Sequence, residues 1–310
     1  MRAKLFIALG ALLAMGWAVP SAGTAPFIVE AAYRNSGGAI PAPVRLRITK
    51  DRGLLLTAWI NRRGPYVFAV DTGAGMNLVT QRVAGEAQLP TRSVSPTTIG
   101  GLTNSTTTSN REVVINELAL GDLSNTFRAK TALVVSVLAP GIDGILDPTD
   151  VYSPNGYSID MPNQRIEAVG PTIATSRRSQ GEGAVVSWLR LGSSARPFVR
   201  LGDGRLALID TGSSFGLAVN ERDAVVVGPR RGNQSSEATR DIAGGIISSR
   251  RVAPTTISIG DLVLRSVPTD ILFGVEDDAP VILGRDVLYP FKITFDPRKR
   301  SIEFITAEKS

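Results

Sequence analysis

The chain of 310 residues contains no cysteine and no histidine. The lack of cysteine excludes disulfides, thiol nucleophiles, thiolate metal sites and a lipid-modified cysteine. The lack of histidine excludes Ser-His-Asp and Cys-His catalysis and the commonest zinc sites. Acid–base chemistry must therefore use carboxylates, lysine or tyrosine. A Ser-Lys pair stays open, although no lysine lies in a recognisable motif. We expect no metal site and no cofactor.

The sequence also has no long segment of 3.6-residue hydrophobic periodicity after its first twenty residues. Short runs rich in Val, Ile and Thr alternate instead with turn residues, and the chain has 31 glycines and 19 prolines. This pattern predicts an all-β protein. A hydrophobic content of 43% is sufficient for the core of one or two domains.

Charge of one sign is not concentrated in any part of the chain. The net charge is +6; arginine pairs occur at residues 177–178, 230–231 and 250–251, and an Arg-Lys-Arg segment occurs at residues 298–300. Because these pairs are scattered and not interleaved with aromatic residues, we interpret them as solvated loops and expect no nucleic-acid partner. The alternative is a β-domain of the cell envelope that binds an anionic polymer through its arginines.

Residues 1–25 have the pattern of a secretion signal. A basic start is followed by an apolar segment, residues 5–19, and by a stretch of small residues. Cleavage would follow Ala22 or Ala25. The alternative is an uncleaved anchor, but the apolar segment is shorter than the ~20 residues that a membrane span needs. We predict an exported protein, periplasmic or secreted, with no membrane span in the mature chain.

Two apolar runs, each read as a buried strand, end in Asp-Thr-Gly, at residues 71–73 and 210–212. The offset between the two aspartates is 139 residues (210 − 71), and the same offset relates the two Gly-Asp-Leu segments that begin at Gly121 and Gly260. Asp160 and Asp296 match at nearly the same spacing. A repeat of this length indicates two copies of one fold. The predicted division is an N-terminal β lobe (26–170), a linker (171–183) and a C-terminal β lobe (184–310).

Two similar lobes about a pseudo-twofold axis would bring Asp71 and Asp210 together at that axis. Two carboxyl groups in contact share one proton, because they cannot both ionise easily. The ionised partner can take a proton from a bound water, and the protonated partner can polarise a substrate carbonyl. We therefore interpret the pair as a catalytic dyad that directs water at an amide. A single Asp-Thr-Gly would indicate only a turn.

The neighbours of the two aspartates are expected to support them. Gly73 and Gly212 would permit a tight turn with unusual backbone angles and a close approach of the chain. The hydroxyl groups of Thr72 and Thr211 can donate hydrogen bonds across the axis to the backbone of the opposite lobe. These four residues are predicted to fix the geometry of the dyad.

With residues 71–74 and 210–213, the sequence resembles the aspartic proteases of the pepsin and retroviral-protease kind. Paired apolar residues beside a glycine at 143–146 and 281–288 match that family too, and the resemblance covers about residues 50 to 306. The chain is similar to bacterial retropepsin-like proteases of the exported type. The resemblance implies an aspartic endopeptidase with a bilobal pepsin-like fold, in which an active cleft separates two closed β lobes.

The resemblance also implies a β-hairpin flap over the cleft and an extended peptide or protein as substrate. Such a peptide would add as a strand, with side chains in alternating pockets. We expect the protein to be a monomer that prefers apolar residues around the cleaved bond. By position, the flap and substrate-binding residues are Ile99, Gly100 and Gly101 in a first hairpin (97–110) and Gly244 and Gly245 in a second.

One residue departs from the family pattern. The first half has Asp147 where the family has a glycine, whereas the second half keeps Gly284. We expect a register shift that turns Asp147 to solvent, because a carboxylate pointing inward would oppose ionisation of the dyad. Asp147 also leaves an alternative function open, a catalytically impaired peptide-binding protein on the same fold.

The two motifs differ in the residue after the glycine, which is Ala74 in the first motif and Ser213 in the second. A serine hydroxyl can donate a hydrogen bond to the aspartate of its own motif, and alanine cannot. We therefore hypothesise that Asp210 is the more easily ionised partner and that Asp71 more often carries the shared proton.

Overall fold

Strands make up most of the described chain, and the predicted all-β class is confirmed. The computed structural model describes residues 40–100, 106–136, 138–170, 183–191, 194–227, 236–240, 246–276 and 279–306. In the first half (residues 40–170) the strands are β1 (Val44–Arg45), β2 (Arg47–Thr49), β3 (Gly53–Ile60), β4 (Arg63–Val70), β5 (Leu78–Thr80), β6 (Thr91–Gly100), β7 (Thr106–Leu120), β8 (Thr126–Val135), β9 (Gly144–Leu146), β10 (Gly156–Asp160) and β11 (Arg165–Val169).

In the second half (residues 183–306) the strands are β12 (Gly183–Ser187), β13 (Phe198–Arg200), β14 (Leu206–Ile209), β15 (Leu217–Asn220), β16 (Ser236–Arg240), β17 (Ile246–Ile259), β18 (Leu262–Phe273), β19 (Val281–Leu283), β20 (Phe291–Asp296) and β21 (Ser301–Thr306). The helices are α1 (Gln81–Glu86), α2 (Pro148–Val151), α3 (Glu221–Val227) and α4 (Arg285–Leu288). Among the residues that the structure describes, no helix has the length and apolar character needed to cross a membrane.

An eight-stranded sheet forms the body of the first half, in the order β2-β3-β4-β9-β5-β8-β7-β6. Strand β7 also pairs with β3, which closes the sheet on itself. The turn-forming segment Asn61-Arg62-Arg63-Gly64-Pro65 predicts a turn over residues 61–65, and the β3–β4 turn is tighter than that. Asn61 and Arg62 alone form it, both with positive φ (48° and 65°), and β4 already begins at Arg63.

The second half repeats this order in a seven-stranded sheet, β13-β14-β19-β15-β18-β17-β16. The directions match as well, because β14 and β19 are parallel like β4 and β9, and β15 and β18 are parallel like β5 and β8. The repeated Gly-Asp-Leu segments lie at equivalent hairpin turns. Gly121 and Gly260 both have positive φ there (73° and 57°), a conformation that favours glycine.

A third sheet joins strands of both halves, in the order β1-β11-β10-β20-β21-β12. Its central pair is β10 and β20, with Ile159 opposite Ile293. Tyr157 on β10 stacks on Phe295 of β20 with ring centroids 4.7 Å apart, and both side chains are fully buried. The apolar core is continuous through both halves. The shared sheet therefore holds the two β units against each other.

Several predicted features fall wholly or partly outside the described residues. The predicted linker, residues 171–183, is described only at Gly183, where β12 begins. Gly101, Gly244 and Gly245 lie outside the described residues. The hairpins that lead to them are described: Gly100 pairs with Thr106, and Arg240 pairs with Ile246.

Candidate active site

Asp71 and Asp210 stand at equivalent ends of two buried strands. Asp71 follows β4, and its backbone N–H donates to the carbonyl oxygen of Leu146 at the end of β9 (3.0 Å). Asp210 follows β14, and its N–H donates to Leu283 O at the end of β19 (2.9 Å). In each half a parallel strand pair thus holds the aspartate backbone at the edge of the core.

The structure brings the two carboxyl groups together, and they hydrogen-bond to each other. Each also accepts a backbone N–H from its own turn, Gly73 N–H to Asp71 Oδ1 (2.7 Å) and Gly212 N–H to Asp210 Oδ1 (2.8 Å). Both aspartates are partly exposed, so the pair is open to a water or a substrate.

The two glycines are required for close approach and not for unusual backbone angles. Neither Gly73 nor Gly212 has a positive φ, which corrects part of their predicted role. A Cβ added to Gly73 would lie 2.8 Å from Cγ of Asp210, and one on Gly212 would lie 2.6 Å from Cγ of Asp71. Each glycine therefore makes room for the aspartate of the opposite half.

Thr72 and Thr211 form a reciprocal set of hydrogen bonds behind the aspartates. The Thr72 hydroxyl donates to Ile209 O (2.6 Å), and the Thr211 hydroxyl donates to Val70 O (3.1 Å). Each hydroxyl oxygen also accepts the backbone N–H of the other threonine at 3.1 Å. Both residues are fully buried. The four bonds fix the two motifs to each other, which is the role that the sequence predicts for these hydroxyls.

The surroundings of the two carboxyls are unequal. Desolvation by the surrounding protein raises the pKa of Asp71 well above its ordinary value, and the charges of Asp210 and Asp147 raise it further. Desolvation also raises the pKa of Asp210, but the hydrogen bond from Asp71, two backbone N–H groups and the charge of Arg285 oppose that rise. This arrangement favours the shared proton on Asp71 and the negative charge on Asp210.

The source of this inequality differs from the predicted one. The Ser213 hydroxyl accepts a hydrogen bond from Phe215 N–H (3.3 Å), and no bond from it to Asp210 is formed. The backbone N–H of Ser213 donates to Asp210 Oδ1 instead (3.1 Å). In both halves this N–H also points to the carbonyl oxygen of its own aspartate (3.3 Å for Ser213, 3.4 Å for Ala74), but only that of Ser213 reaches the carboxylate as well. The position of the backbone, and not the hydroxyl, gives Asp210 its extra donor.

Asp147 faces the interior, so the expectation that it turns to solvent is wrong. Asp147 is only 3% exposed. Its Oδ1 accepts the backbone N–H of Thr149 (2.9 Å), so the Asp147 side chain caps the N-terminus of α2. Its own N–H donates to Asn77 Oδ1 (2.9 Å). Burial raises the pKa of Asp147 to about 6. A third carboxyl group therefore lies close to the dyad, on the side of Asp71.

Arg285 is a supporting residue that the sequence reasoning did not single out. It is 6% exposed, and its guanidinium donates to the carbonyl oxygens of Thr211 (3.0 Å), Gly212 (2.7 Å) and Lys50 (2.8 Å). It thereby holds the Asp-Thr-Gly turn of the second half by its backbone. The equivalent position in the first half is Pro148, which has no such donor. The sequence feature that could have indicated Arg285 is the Leu-Gly-Arg-Asp segment that begins at Leu283.

The predicted flap residues are only partly brought to the site. Ile99 is buried (6% exposed) in a small cluster with Leu78 and Ile145, against which Ala74 and Met76 pack. It therefore packs over the loop that follows Asp71. Gly100 is the last residue of β6. Thr97, two residues before Ile99, lines a cavity of about 620 Å³ together with Gly75, Met76 and Asp147.

The comparisons with known proteins add one finding. Residues 56–146 match the model of a family described as aspartyl protease. This segment contains Asp71 and ends just before Asp147, so the match supports an aspartyl protease family for the first half of the chain. A comparison with curated proteins found no match. Within the described ranges, no group of three or more acidic side chains is arranged to hold a metal ion.

Proposed function

We propose that the protein is an aspartic endopeptidase that hydrolyses peptide bonds with a water activated between Asp71 and Asp210. The observation that carries the proposal is the direct hydrogen bond between these two carboxyl groups, which unequal surroundings bias toward a neutral Asp71 and an ionised Asp210. The match of residues 56–146 to an aspartyl protease family supports the same function.

In this mechanism Asp210 takes a proton from the water, whose oxygen attacks the carbonyl carbon of the peptide bond. Asp71 gives its proton to the carbonyl oxygen, and a tetrahedral diol forms. Asp210 then passes its proton to the amide nitrogen, the C–N bond breaks, and a diol hydroxyl returns a proton to Asp71. Neither a covalent intermediate nor a metal ion takes part in these steps.

The substrate in this proposal is an extended peptide segment of a protein, bound by a monomeric enzyme. Hairpins β6–β7 and β16–β17 stand at corresponding places in the two halves, and extended peptides pair readily with such strand edges. The basic and apolar start of the sequence supports export to the periplasm or the medium as the place where the enzyme acts.

The test is an assay of the purified protein on an unfolded protein substrate from acid to neutral pH. We expect cleavage that a statine-type inhibitor blocks, and a loss of at least ~10²-fold in both Asp71→Asn and Asp210→Asn. Asp160→Asn is the control, because Asp160 is also a buried aspartate (4% exposed) but caps a separate turn through Asn163 N–H. Peptide binding without cleavage by the wild type would contradict the proposal and favour a binding protein.

A further inference from the structure

Asp147 lies directly behind the first catalytic aspartate. It follows Leu146, whose carbonyl oxygen accepts the backbone N–H of Asp71 (3.0 Å), and its side chain is enclosed by protein. Building on the proposed peptidase function, we propose that Asp147 is a positioning residue whose negative charge keeps the shared proton on Asp71 and extends activity to higher pH. Asp147 does not touch the reacting atoms and acts through Asp71.

The turn of the first half is built to accept this side chain. In the second half Gly284 occupies the equivalent place, and its N–H donates to Gly216 O (2.9 Å). A Cβ on Gly284 would lie 2.4 Å from Phe215 O, so no side chain fits there. In the first half Asn77 stands at the position equivalent to Gly216. Its side-chain oxygen, and not a backbone carbonyl, accepts the N–H of Asp147 (2.9 Å). Asn77 therefore replaces the backbone acceptor of the second half and holds the backbone of Asp147 in the first.

Asn77 is itself held in place by further hydrogen bonds. Its amide nitrogen donates to Thr131 O (3.1 Å) and to Asp150 Oδ2 (2.6 Å). Asn77 is 4% exposed, so both groups of its amide are buried and used. The pair of Asn77 and Asp147 is thus a fixed part of the first half, with no equivalent in the second.

The described residues include no ion-pair partner for Asp147, and the nearby Lys130 compensates its charge only in part. The Lys130 ammonium lies nearby but donates to the backbone carbonyl of Asp150 (2.6 Å) and not to a carboxylate. Tyr157 faces Asp147 through Thr149, whose hydroxyl contacts the Tyr157 hydroxyl at 3.2 Å. The titratable and charged groups on this side are Asp71, Lys130, Asp150 and Tyr157, with Glu112, Arg190 and Arg298 around the adjoining cavity.

The pH range of the effect follows from the burial of Asp147. Since burial raises the pKa of Asp147 to about 6, the group is neutral in acid and charged at neutral pH. A charge there opposes the loss of the proton from Asp71, which is the event that ends activity on the alkaline side. Asp147 should therefore set the alkaline limb of the pH–rate profile and leave the acid limb unchanged.

The test compares pH profiles of kcat/KM for the wild type, Asp147→Asn and Asp147→Ser. Both substitutions remove the charge, and both keep an N-cap oxygen for Thr149 N–H. We expect the alkaline limb of both variants to move to lower pH, with roughly two- to fivefold lower kcat/KM on that limb. The acid limb should not move. The control Asp160→Asn should leave both limbs in place.

A merely structural role for Asp147 would lower kcat/KM equally at every pH, and an unmoved alkaline limb in a folded variant would overturn the proposal. Near-ultraviolet circular dichroism identifies which variants are folded. If Asp147→Asn does not fold, Asp147→Ser is used for the comparison. A wild type that does not cleave peptides would contradict the peptidase function and this proposal together. A cleaving wild type with unchanged variant profiles would contradict this proposal alone.

Discussion

The two halves of the molecule support their aspartates with opposite charges. Behind Asp210 lies Arg285, a buried cation that holds the Asp-Thr-Gly turn by its carbonyl oxygens. Behind Asp71 lies Asp147, a buried carboxyl group at the start of α2. The strand order and the reciprocal threonine bonds are the same in both halves, so this difference is confined to the turns after β9 and β19.

This comparison shows how a repeated fold can place two identical carboxyl groups in unequal surroundings. Two carboxyls at equivalent positions would share their proton equally if their surroundings were equal. Here a positive charge and an additional N–H lie on the Asp210 side, and a negative charge lies on the Asp71 side. In the proposed mechanism, the acid and the base are therefore distinguished by residues that do not touch the reacting atoms.

The largest effect is expected from removing the cation of the second half. Arg285→Met leaves three carbonyl oxygens without their donor, and we expect the free energy of unfolding to fall by about 3–4 kcal/mol. Urea unfolding at neutral pH measures it. The control is Arg82→Met, whose ion pairs are half exposed and should contribute less than ~1 kcal/mol. A similar small loss for Arg285→Met would contradict its supporting role.

The second prediction tests whether the close approach is equally strict in both halves. Gly73→Ala and Gly212→Ala each place a Cβ within 3 Å of the opposite carboxyl, so the dyad must separate. We expect kcat/KM to fall by about 100-fold or more in both. Gly85→Ala in α1 is the control, since a Cβ there has no neighbour within 4 Å. Retained activity in either variant would show that the turn can shift to accommodate the added Cβ without separating the two carboxyl groups.

The third prediction concerns stability and pH. The raised pKa of Asp147 means that its contribution to stability is fully present below pH ~4 and is lost as the pH rises through about 6. Asp147→Asn has no carboxyl group at this position, so its stability does not fall in this pH range for this reason. We expect its free energy of unfolding, relative to the wild type, to rise by about 2–3 kcal/mol between pH 4 and pH 7. Equal pH dependence of both proteins would show that Asp147 is not desolvated.

The smallest effect is expected at Ser213. Because the backbone N–H of Ser213, and not its hydroxyl, donates to Asp210, Ser213→Ala should leave the acid limb of the pH–rate profile unmoved. The lost bond from Phe215 N–H should cost about 0.5–1 kcal/mol of stability. A shifted acid limb would show that the hydroxyl acts on Asp210 after all. The reciprocal variant Ala74→Ser should be equally silent in the pH profile.

Much of the fold could be predicted from local patterns. The apolar runs of β3 and β4, the turn glycines Gly121 and Gly260, and the strand before each Asp-Thr-Gly are all signals within a few neighbouring residues. The β3–β4 turn was predicted too long, because Asn61 and Arg62 can adopt positive φ and close it by themselves. The strand order was not predicted, because it depends on pairing between strands that are distant in the sequence.

Less of the site could be predicted in this way. The expectation for Asp147 failed because nothing near it in the sequence shows that Asn77, 70 residues away, holds its backbone. The Leu-Gly-Arg-Asp segment contains Arg285, but the role of this residue was missed because its partner Lys50 is 235 residues away. The Ser213 hydroxyl was assigned to the wrong acceptor, because a side chain and a backbone donor at one residue cannot be told apart without the turn geometry.

The sequence by itself determined that two Asp-Thr-Gly segments end two buried strands and that no histidine or cysteine competes with them for catalysis. Composition and short-range patterns suffice for such conclusions, because strands and turns form between near neighbours. Only the tertiary structure decided how the surroundings of the two aspartates differ. The charge and the donors at each carboxyl come from residues distant in the chain, and packing alone brings Asp147 behind Asp71 and Arg285 behind Asp210.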